Sequence, residues 1–354
     1  MIRGCAITSR GIKTVNDDKV LIGNTVLSGG IVSIRGNLPL VAAVFDGVSQ
    51  GYRGAEASNI ATSIFLENLE RITRSNLDGN ARSQEMKSVF DDIQHTLLAY
   101  QQQLRLRDYV ATTASGIIVD KDWGISGFNS GDSRVYRFRN GNLFQMSSDD
   151  TLSRQLEKAG MGDVHIEMSG LNSHTITKAL GVPASEEGPV TVEDYGKMID
   201  GDIFLGCSDG LSGFVDNDFI TAELAGTDDL KKSCRKLFRA ALDNGSNDNI
   251  SLFIVQRVDT DGEVAGPQAA SAANGQGSSA PNGNAGQQAS TTASGQVGSA
   301  PSPIAGPQPA PTASGQTAPA VNADPQVSPG TSAGDAPSPN SQTASDPDAG
   351  GRNG

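Results

Sequence analysis

Apolar residues in the first 258 positions fall mostly into short runs, which predict strands more often than helices. The clearest run is Leu40–Phe45, a continuous apolar stretch that is followed by Asp46-Gly47. A run of this length is too short for three helical turns, so it predicts a buried strand. Ile203–Ser208 and Ile250–Val255 also predict buried strands, each with an acidic residue at one end.

Two longer stretches have apolar residues at three- and four-residue spacing, which is typical of amphipathic helices. They cover roughly Ala55–Arg74 and Ser83–Arg107. Shorter helices are predicted at Thr151–Ala159, Thr175–Leu180, Asn217–Ala225 and Leu230–Asp243, whereas residues 161–172 are predicted to form a loop.

The remaining apolar runs predict short strands. Asn140-Gly141 lies between the runs Arg134–Arg139 and Leu143–Met146, and this dipeptide is a strong hairpin signal. The glycine-containing stretch Ser28–Asn37 also predicts a hairpin. Antiparallel strands with helices inserted in pairs indicate a layered α+β fold rather than the strand–helix alternation of a Rossmann fold.

Composition changes at residue 259. The last 96 residues contain no Phe, Trp or Tyr but 13 of the 16 prolines, and they are rich in Pro, Ala, Ser, Gly and Gln. Such a segment buries too little apolar surface to offset the entropy of ordering. We therefore predict one domain over residues 1–258 and a disordered tail over residues 259–354, which is either a tether or docking segment or an idle extension.

Charge and cysteine usage exclude several classes of protein. Residues 1–258 carry 33 acidic against 26 basic side chains, which disfavours nucleic-acid binding. The three widely spaced cysteines predict neither a disulfide framework nor a thiolate zinc site. No signal-peptide pattern begins the chain, and no apolar stretch approaches the roughly 20 residues that span a bilayer. We expect a cytoplasmic monomer.

Three carboxylates lie at the ends of predicted strands: Asp46, Asp209 and Asp248. Each one alone is explained as a turn residue, because Asp-Gly and Asp-Asn are frequent in turns. A buried carboxylate, however, is tolerated only with a partner or a cation. Together the three indicate an oxygen-lined site for a hard cation such as Mg²⁺ or Mn²⁺.

Seven short motifs follow one another between about residue 3 and residue 257. They are Lys13-x-x-Asn16-Asp17-Asp18, Phe45-Asp46-Gly47, Gly54-Ala55-Glu56-Ala57-Ser58, Ala111-Thr112-Thr113, Asn129-Ser130-Gly131-Asp132-Ser133-Arg134, Cys207-Ser208-Asp209-Gly210-Leu211 and Asn247-Asp248-Asn249-Ile250-Ser251. One Asp-Gly pair carries no information, but seven motifs in order are specific. The set resembles the metal-dependent PP2C-type (PPM) serine/threonine phosphatases of bacteria.

The resemblance implies a β-sandwich of two antiparallel sheets flanked by pairs of helices, in α-β-β-α layers. It also implies two or three Mn²⁺ or Mg²⁺ ions. Asp46 would bridge two ions, and the Gly47 carbonyl would complete one of them. Asp209 and Asp248 would hold the other ion, and Asp132 would bind a third, weaker position. A hairpin-turn residue paired with Arg134 is the alternative explanation of Asp132.

Three further residues receive a catalytic role from the resemblance. Lys13 would hold the substrate phosphate, and Asp17 and Asp18 would orient water at the ions. The family usually has Arg at the position of Lys13 and Glu at that of Asp17. Lys lacks the bidentate fork of Arg, so phosphate would be held less rigidly. A solvated loop lysine and turn-capping carboxylates remain the alternatives.

Two other chemistries fit less well. Gly206-Cys207-Ser208-Asp209-Gly210 has the form of a serine-hydrolase nucleophile elbow, but the expected histidine should follow the serine. The three histidines all precede it and are too scattered for a zinc trio. Asp216 lies in a stretch that weakly resembles an aspartyl-phosphate motif, but it fits a helix cap better.

We therefore predict a protein serine/threonine phosphatase in which a water held between the metals hydrolyses phosphoserine or phosphothreonine. Its implied partners are phosphorylated Ser/Thr proteins and a cognate serine/threonine kinase. The alternative is a PP2C-like module in which Lys13 and Asp17 leave phosphopeptide or metal binding without useful turnover. Manganese-dependent hydrolysis of p-nitrophenyl phosphate distinguishes the two.

Overall fold

The computed structural model describes residues 1–48, 53–107, 109–160, 175–183 and 188–258. The strands are β1 (Ile2–Ser9), β2 (Lys19–Ile22), β3 (Thr25–Leu27), β4 (Gly30–Gly36), β5 (Leu40–Phe45), β6 (Gly47–Val48), β7 (Ala111–Thr112), β8 (Ala114–Val119), β9 (Gly124–Ser130), β10 (Arg134–Arg139), β11 (Asn142–Gln145), β12 (Thr191–Lys197), β13 (Ile203–Cys207) and β14 (Ile250–Arg257). The helices are α1 (Gly54–Glu67), α2 (Leu69–Thr73), α3 (Gly79–Gln103), α4 (Leu152–Lys158), α5 (Asp209–Ser212), α6 (Asn217–Ala225) and α7 (Leu230–Asp243).

Twelve of these strands form two antiparallel sheets. Sheet A has the order β11-β10-β13-β14-β1-β4, and sheet B has the order β12-β9-β8-β5-β2-β3. The short strands β6 and β7 pair with each other at one end of the sandwich. Helices α1 to α3 cover the outer face of sheet B, and α5 to α7 cover that of sheet A. The predicted α-β-β-α sandwich is confirmed.

The apolar run of β5 is continuous because both faces of the strand are covered. Leu40, Ala42 and Val44 pack between the two sheets. Val41 and Phe45 pack against the helices. A strand that is buried on both faces needs an apolar residue at every position, rather than an alternating pattern.

Most predicted helices are present with small changes at their ends. The stretch predicted as one helix over Ala55–Arg74 is two helices, because the backbone leaves the helical conformation at Asn68. Helix α3 begins at Gly79, where the Asp78 side chain accepts a hydrogen bond from the Ala81 N–H at 2.7 Å. Asp216 caps α6 by accepting from the Phe219 N–H, as the sequence predicted.

Two local predictions are wrong. The stretch predicted as a hairpin over Ser28–Asn37 forms the single strand β4, which crosses to the other sheet and pairs with β1. Gly30, with φ of +92°, is the first residue of this strand. The stretch Thr175–Leu180 is extended rather than helical, because Ile176 and Leu180 form bridges to Thr151 and Thr112.

Some predictions fall outside the described residues, namely the loop over residues 161–172 and the tail over residues 259–354. Within the described part of the chain, no helix combines the length and the hydropathy needed to cross a membrane.

Candidate metal centre

Five predicted site carboxylates lie at one end of the sandwich. Asp18 precedes β2 and Asp46 follows β5, and these strands pair so that Lys19 is opposite Phe45. Asp132 lies in the turn between β9 and β10. Asp209 follows β13 and Asp248 lies shortly before β14, which pairs with β13. Because the end of one antiparallel strand meets the start of its neighbour, the topology brings these side chains together.

The backbone of Asp46 is held from the side of β7. Its N–H donates to Thr113 Oγ1 at 3.1 Å. Its carbonyl accepts from the Thr113 N–H at 2.8 Å and from Thr112 Oγ1 at 2.9 Å. Thr113 Oγ1 also forms a hydrogen bond with Ser133 Oγ at 2.8 Å, so the turn that contains Asp132 is tied to the same point.

Three glycines of the site are required by backbone packing. A Cβ on Gly47 would collide with the backbone of Gly54, and a Cβ on Gly54 would collide with Gly47. A Cβ on Gly210 would collide with the carbonyl of Asn249. At these positions one backbone segment packs closely against another, and the sequence alone did not predict these contacts.

Asp18 is fully buried, and neither of its carboxylate oxygens has a hydrogen-bond partner of acceptable geometry among the described residues. Ser208 and Ser251 lie beside it, but the Ser251 hydroxyl is 2.7 Å from the hydroxyl of Thr8. One oxygen of Asp209 is unpaired in the same way. Buried carboxylate oxygens without donors are unfavourable, and they are the ligands that hard cations prefer.

Burial and mutual repulsion disfavour ionisation of the cluster. Burial, with a contribution from the charge of Asp209, raises the pKa of Asp18 to about 7. The same two causes raise the pKa of Asp132 to about 7. Burial and the charges of Asp18 and Asp209 raise the pKa of Asp46 well above its usual range. A divalent cation offsets such repulsion, so these residues fit the predicted ions.

The acidic side chains fit ions that keep some of their water ligands. In the described part of the chain, no three carboxylate, imidazole or thiolate groups are arranged to hold an ion alone. Mg²⁺ usually keeps several waters and takes only one or two carboxylates, so three converging side chains are not required. Backbone oxygen such as the Gly47 carbonyl adds to the available donors.

Lys13 lies within the cluster and forms an ion pair with Asp248. The two side chains are 42% and 32% exposed. Burial opposes the charge of Lys13, but the contact with Asp248 and the charge of Asp46 outweigh it and raise the pKa of Lys13. Lys13 is thus paired with Asp248 while its side chain stays exposed, and the choice between a phosphate contact and a solvated loop lysine stays a prediction.

Asn249 holds the loop that carries Lys13 and Asp17. Its buried side chain accepts from the Asp17 N–H at 2.8 Å. It also donates to the carbonyls of Arg10 at 3.1 Å and Val15 at 2.9 Å. We assigned no function to Asn249 from the sequence, although its place between Asp248 and an apolar strand was a usable signal.

Asp132 and Arg134 do not form the ion pair that was the alternative to a metal role. The Arg134 guanidinium instead contacts Asp149, with Nη2 at 2.6 Å and Nε at 3.0 Å from the carboxylate. Asp132 lies in a turn as that alternative supposed, but its carboxylate faces the charge of Asp209.

Comparison with known sequences identifies the family. Residues 14–254 match the family described as Protein phosphatase 2C. The chain is 26% identical over 231 residues to the serine/threonine phosphatase stp of Listeria welshimeri, which covers 65% of this chain and 89% of the relative.

Two solved structures are similar in fold. The serine/threonine phosphatase of S. agalactiae has a TM-score of 0.61 at 20% identity and covers 73% of this chain and 100% of that chain. The catalytic domain of the phosphatase PstP in complex with two manganese ions has a TM-score of 0.57 at 23% identity and covers 73% and 99%. The matched residues 14–254 make up more than half of this chain and include the five carboxylates described above. The chain therefore belongs to the protein phosphatase 2C family of metal-dependent serine/threonine phosphatases.

Proposed function

We propose that this protein hydrolyses phosphoserine and phosphothreonine in other proteins with two divalent cations held at the end of the sandwich. Asp46, the Gly47 carbonyl, Asp209 and Asp248 are the proposed ligands, and Asp132 is proposed for a third, weaker position. The observation that carries the proposal is the set of buried, unpaired carboxylate oxygens at Asp18 and Asp209. Manganese is the first ion to test, because PstP was solved with two manganese ions.

Bound cations would supply a nucleophile at neutral pH and neutralise charge on the phosphoryl group. The residues of this chain would orient water and the substrate phosphoryl group at the site. The unpaired oxygens of Asp18 and Asp17 are placed to accept hydrogen bonds from water at the site. The Lys13 ammonium has three donors, so its contact with Asp248 leaves two for a phosphoryl oxygen.

The proposed setting is the cytoplasm, with the protein acting as a monomer that reverses the action of a serine/threonine kinase. All three cysteines, Cys5, Cys207 and Cys234, are free and buried. Free thiols agree with a reducing compartment. The acidic domain agrees with protein substrates rather than nucleic acid.

The test is hydrolysis of p-nitrophenyl phosphate and of a phosphothreonine peptide with and without Mn²⁺. Asp46→Ala and Asp209→Ala should each lower kcat/KM by at least about 100-fold, because each removes electrostatic stabilisation of the reacting group. Asp91→Ala is the matched control, because Asp91 is exposed on α3. A wild-type protein that binds Mn²⁺ but hydrolyses neither compound would contradict the proposal and support the binding module.

A further inference from the structure

Two glutamines on α3 are buried on an otherwise apolar helix face. Gln94 is 5% exposed and Gln101 is 9% exposed. Their neighbours Ile93 and Leu97 are fully buried in the core between α3 and sheet B. A buried amide is unfavourable unless its hydrogen bonds are made. The partners of these two side chains therefore explain why amides occupy this face.

Both glutamines hold residues 175–183, a short extended segment that we call the strap. Gln94 Oε1 accepts from the Gly181 N–H at 2.7 Å, and Gln94 Nε2 donates to the Val182 carbonyl. Gln101 Nε2 donates to the carbonyls of Gly181 at 2.7 Å and Val110 at 3.1 Å. Gly181 has φ of +89°, and a Cβ there would collide with the Val110 carbonyl. The strap is thus fitted closely against α3 and the start of β7.

The strap is connected to Asp46 through one residue. Thr112 and Leu180 exchange two backbone hydrogen bonds, at 3.0 and 2.9 Å. The same Thr112 donates from Oγ1 to the Asp46 carbonyl at 2.9 Å. A displacement of the strap therefore moves the strand that fixes the backbone of Asp46.

The other part of the strap is connected to the Asp132 turn. The Thr177 N–H donates to the Asp150 carbonyl at 2.7 Å. Asp150 in turn accepts from the Gly131 N–H at 3.0 Å and donates its own N–H to the Gly131 carbonyl at 2.9 Å. Gly131 immediately precedes Asp132. The strap is thus bonded to the segments that carry two of the proposed ligands.

We propose that Gln94 and Gln101 are positioning residues that fix the relative placement of Asp46 and Asp132 through the strap. The inference rests on the proposed function, because it assumes that these two carboxylates serve one cation cluster. Neither glutamine lies among the site residues themselves. A role in packing alone would lower stability and leave the response to metal unchanged, which separates the two explanations.

The experiment uses the full chain with Gln94→Met, Gln101→Met and the matched control Gln102→Met, since Gln102 is exposed on the same helix. Met has a similar length and forms none of these hydrogen bonds. Three quantities are measured: the Tm, the Mn²⁺ concentration that gives half-maximal hydrolysis of p-nitrophenyl phosphate, and the Kd for Mn²⁺ by calorimetry without substrate. If Gln94→Met does not fold, Gln94→Asn, which withdraws the amide by one methylene, replaces it.

We expect the half-maximal Mn²⁺ concentration and the calorimetric Kd to rise roughly tenfold in Gln94→Met and Gln101→Met, and to stay unchanged in Gln102→Met. A lower Tm with an unchanged Kd and unchanged metal response would overturn the proposal. The proposal would also be overturned if Gln94→Met and Thr112→Val changed the free energy of Mn²⁺ binding additively, because residues that act through one chain of hydrogen bonds are not independent. A wild-type protein without hydrolytic activity would contradict the proposed function, whereas the calorimetric comparison would still test the glutamines.

Discussion

At the scale of single residues, the site is a set of acidic side chains whose charges oppose one another. Asp46, Asp209 and Asp248 were predicted from their places at strand ends, and the structure brings them to one end of the sandwich. Lys13 and Asp132 needed the resemblance to a family, because a lone loop residue carries no periodic signal. The hydrogen bonds of Asn249 were not predicted, because they join segments more than 230 residues apart.

Replacement of Lys13 tests whether its ammonium holds phosphate. Lys13→Ala should raise KM for a phosphothreonine peptide by about 10-fold or more, since a hydrogen bond to a charged group contributes roughly 1.5–3 kcal/mol. Lys13→Arg should give a KM equal to or below the wild-type value, because the guanidinium fork of Arg can bind phosphate through two hydrogen bonds in a fixed geometry. Steady-state kinetics measure both, with Lys121→Ala at an exposed turn as the control. An unchanged KM in Lys13→Ala would assign Lys13 to the Asp248 pair alone.

At the scale of elements, the position of the site depends on close backbone packing. The turn after β5 passes close to the start of α1. A side chain on either Gly47 or Gly54 would collide with the backbone of the other residue. The sequence pattern predicted β5 from its continuous apolar run and the two long helical stretches from apolar residues at three- and four-residue spacing. It did not predict the break at Asn68 or the crossing of β4 to sheet A, because those depend on which surface each segment meets.

Substitution at the contact between Gly47 and Gly54 should lower both stability and kcat. Gly47→Ala places a methyl group against the Gly54 backbone, and overpacking of this kind costs about 1–3 kcal/mol. Because Gly47 adjoins Asp46, kcat should fall as well. Gly36→Ala is the control, since no atom lies within 4 Å of a Cβ there. Equal urea midpoints and equal kcat for the two variants would contradict this account of the contact.

At the scale of the whole molecule, the acidic cluster makes folding depend on pH and on cations. The pKa values of Asp18 and Asp132 are raised from 3.8 to about 7. The folded chain therefore holds protons that the unfolded chain has released, and stability without divalent ions falls as pH rises between about 4 and 7. Cations that bind the ionised carboxylates reverse this loss, because they bind only the folded state.

The expected outcome is a Tm that decreases from pH 5 to pH 8 in EDTA and decreases less with saturating Mn²⁺. For a domain of this size, each 1 kcal/mol corresponds to roughly 2–4 °C. Asp18→Asn removes one titrating group, so its Tm in EDTA should depend less steeply on pH than that of the wild type. Calorimetric scans measure this difference. A wild-type Tm that rises over the same interval, or equal slopes for both proteins, would refute the interpretation.

Residues 259–354 differ from the domain in composition, and the prediction made for them remains open. Deletion of these residues should leave kcat/KM for p-nitrophenyl phosphate unchanged, because every proposed site residue lies before residue 259. Kinetics of the truncated and full-length proteins test this. A severalfold loss on the small substrate would show that the segment contributes to the site, whereas a loss confined to protein substrates would indicate docking.

The pairing of β1 with β14 has a consequence for biosynthesis. Eight residue pairs join these strands, from Ile2 opposite Arg257 to Ser9 opposite Ile250, and β14 separates β13 from β1 in sheet A. A nascent chain that has emerged only as far as residue 245 therefore lacks a central strand and also Asp248. The ribosome must release nearly the whole domain before a stable enzyme forms, so stalled fragments should be degraded rather than accumulate as partly active protein.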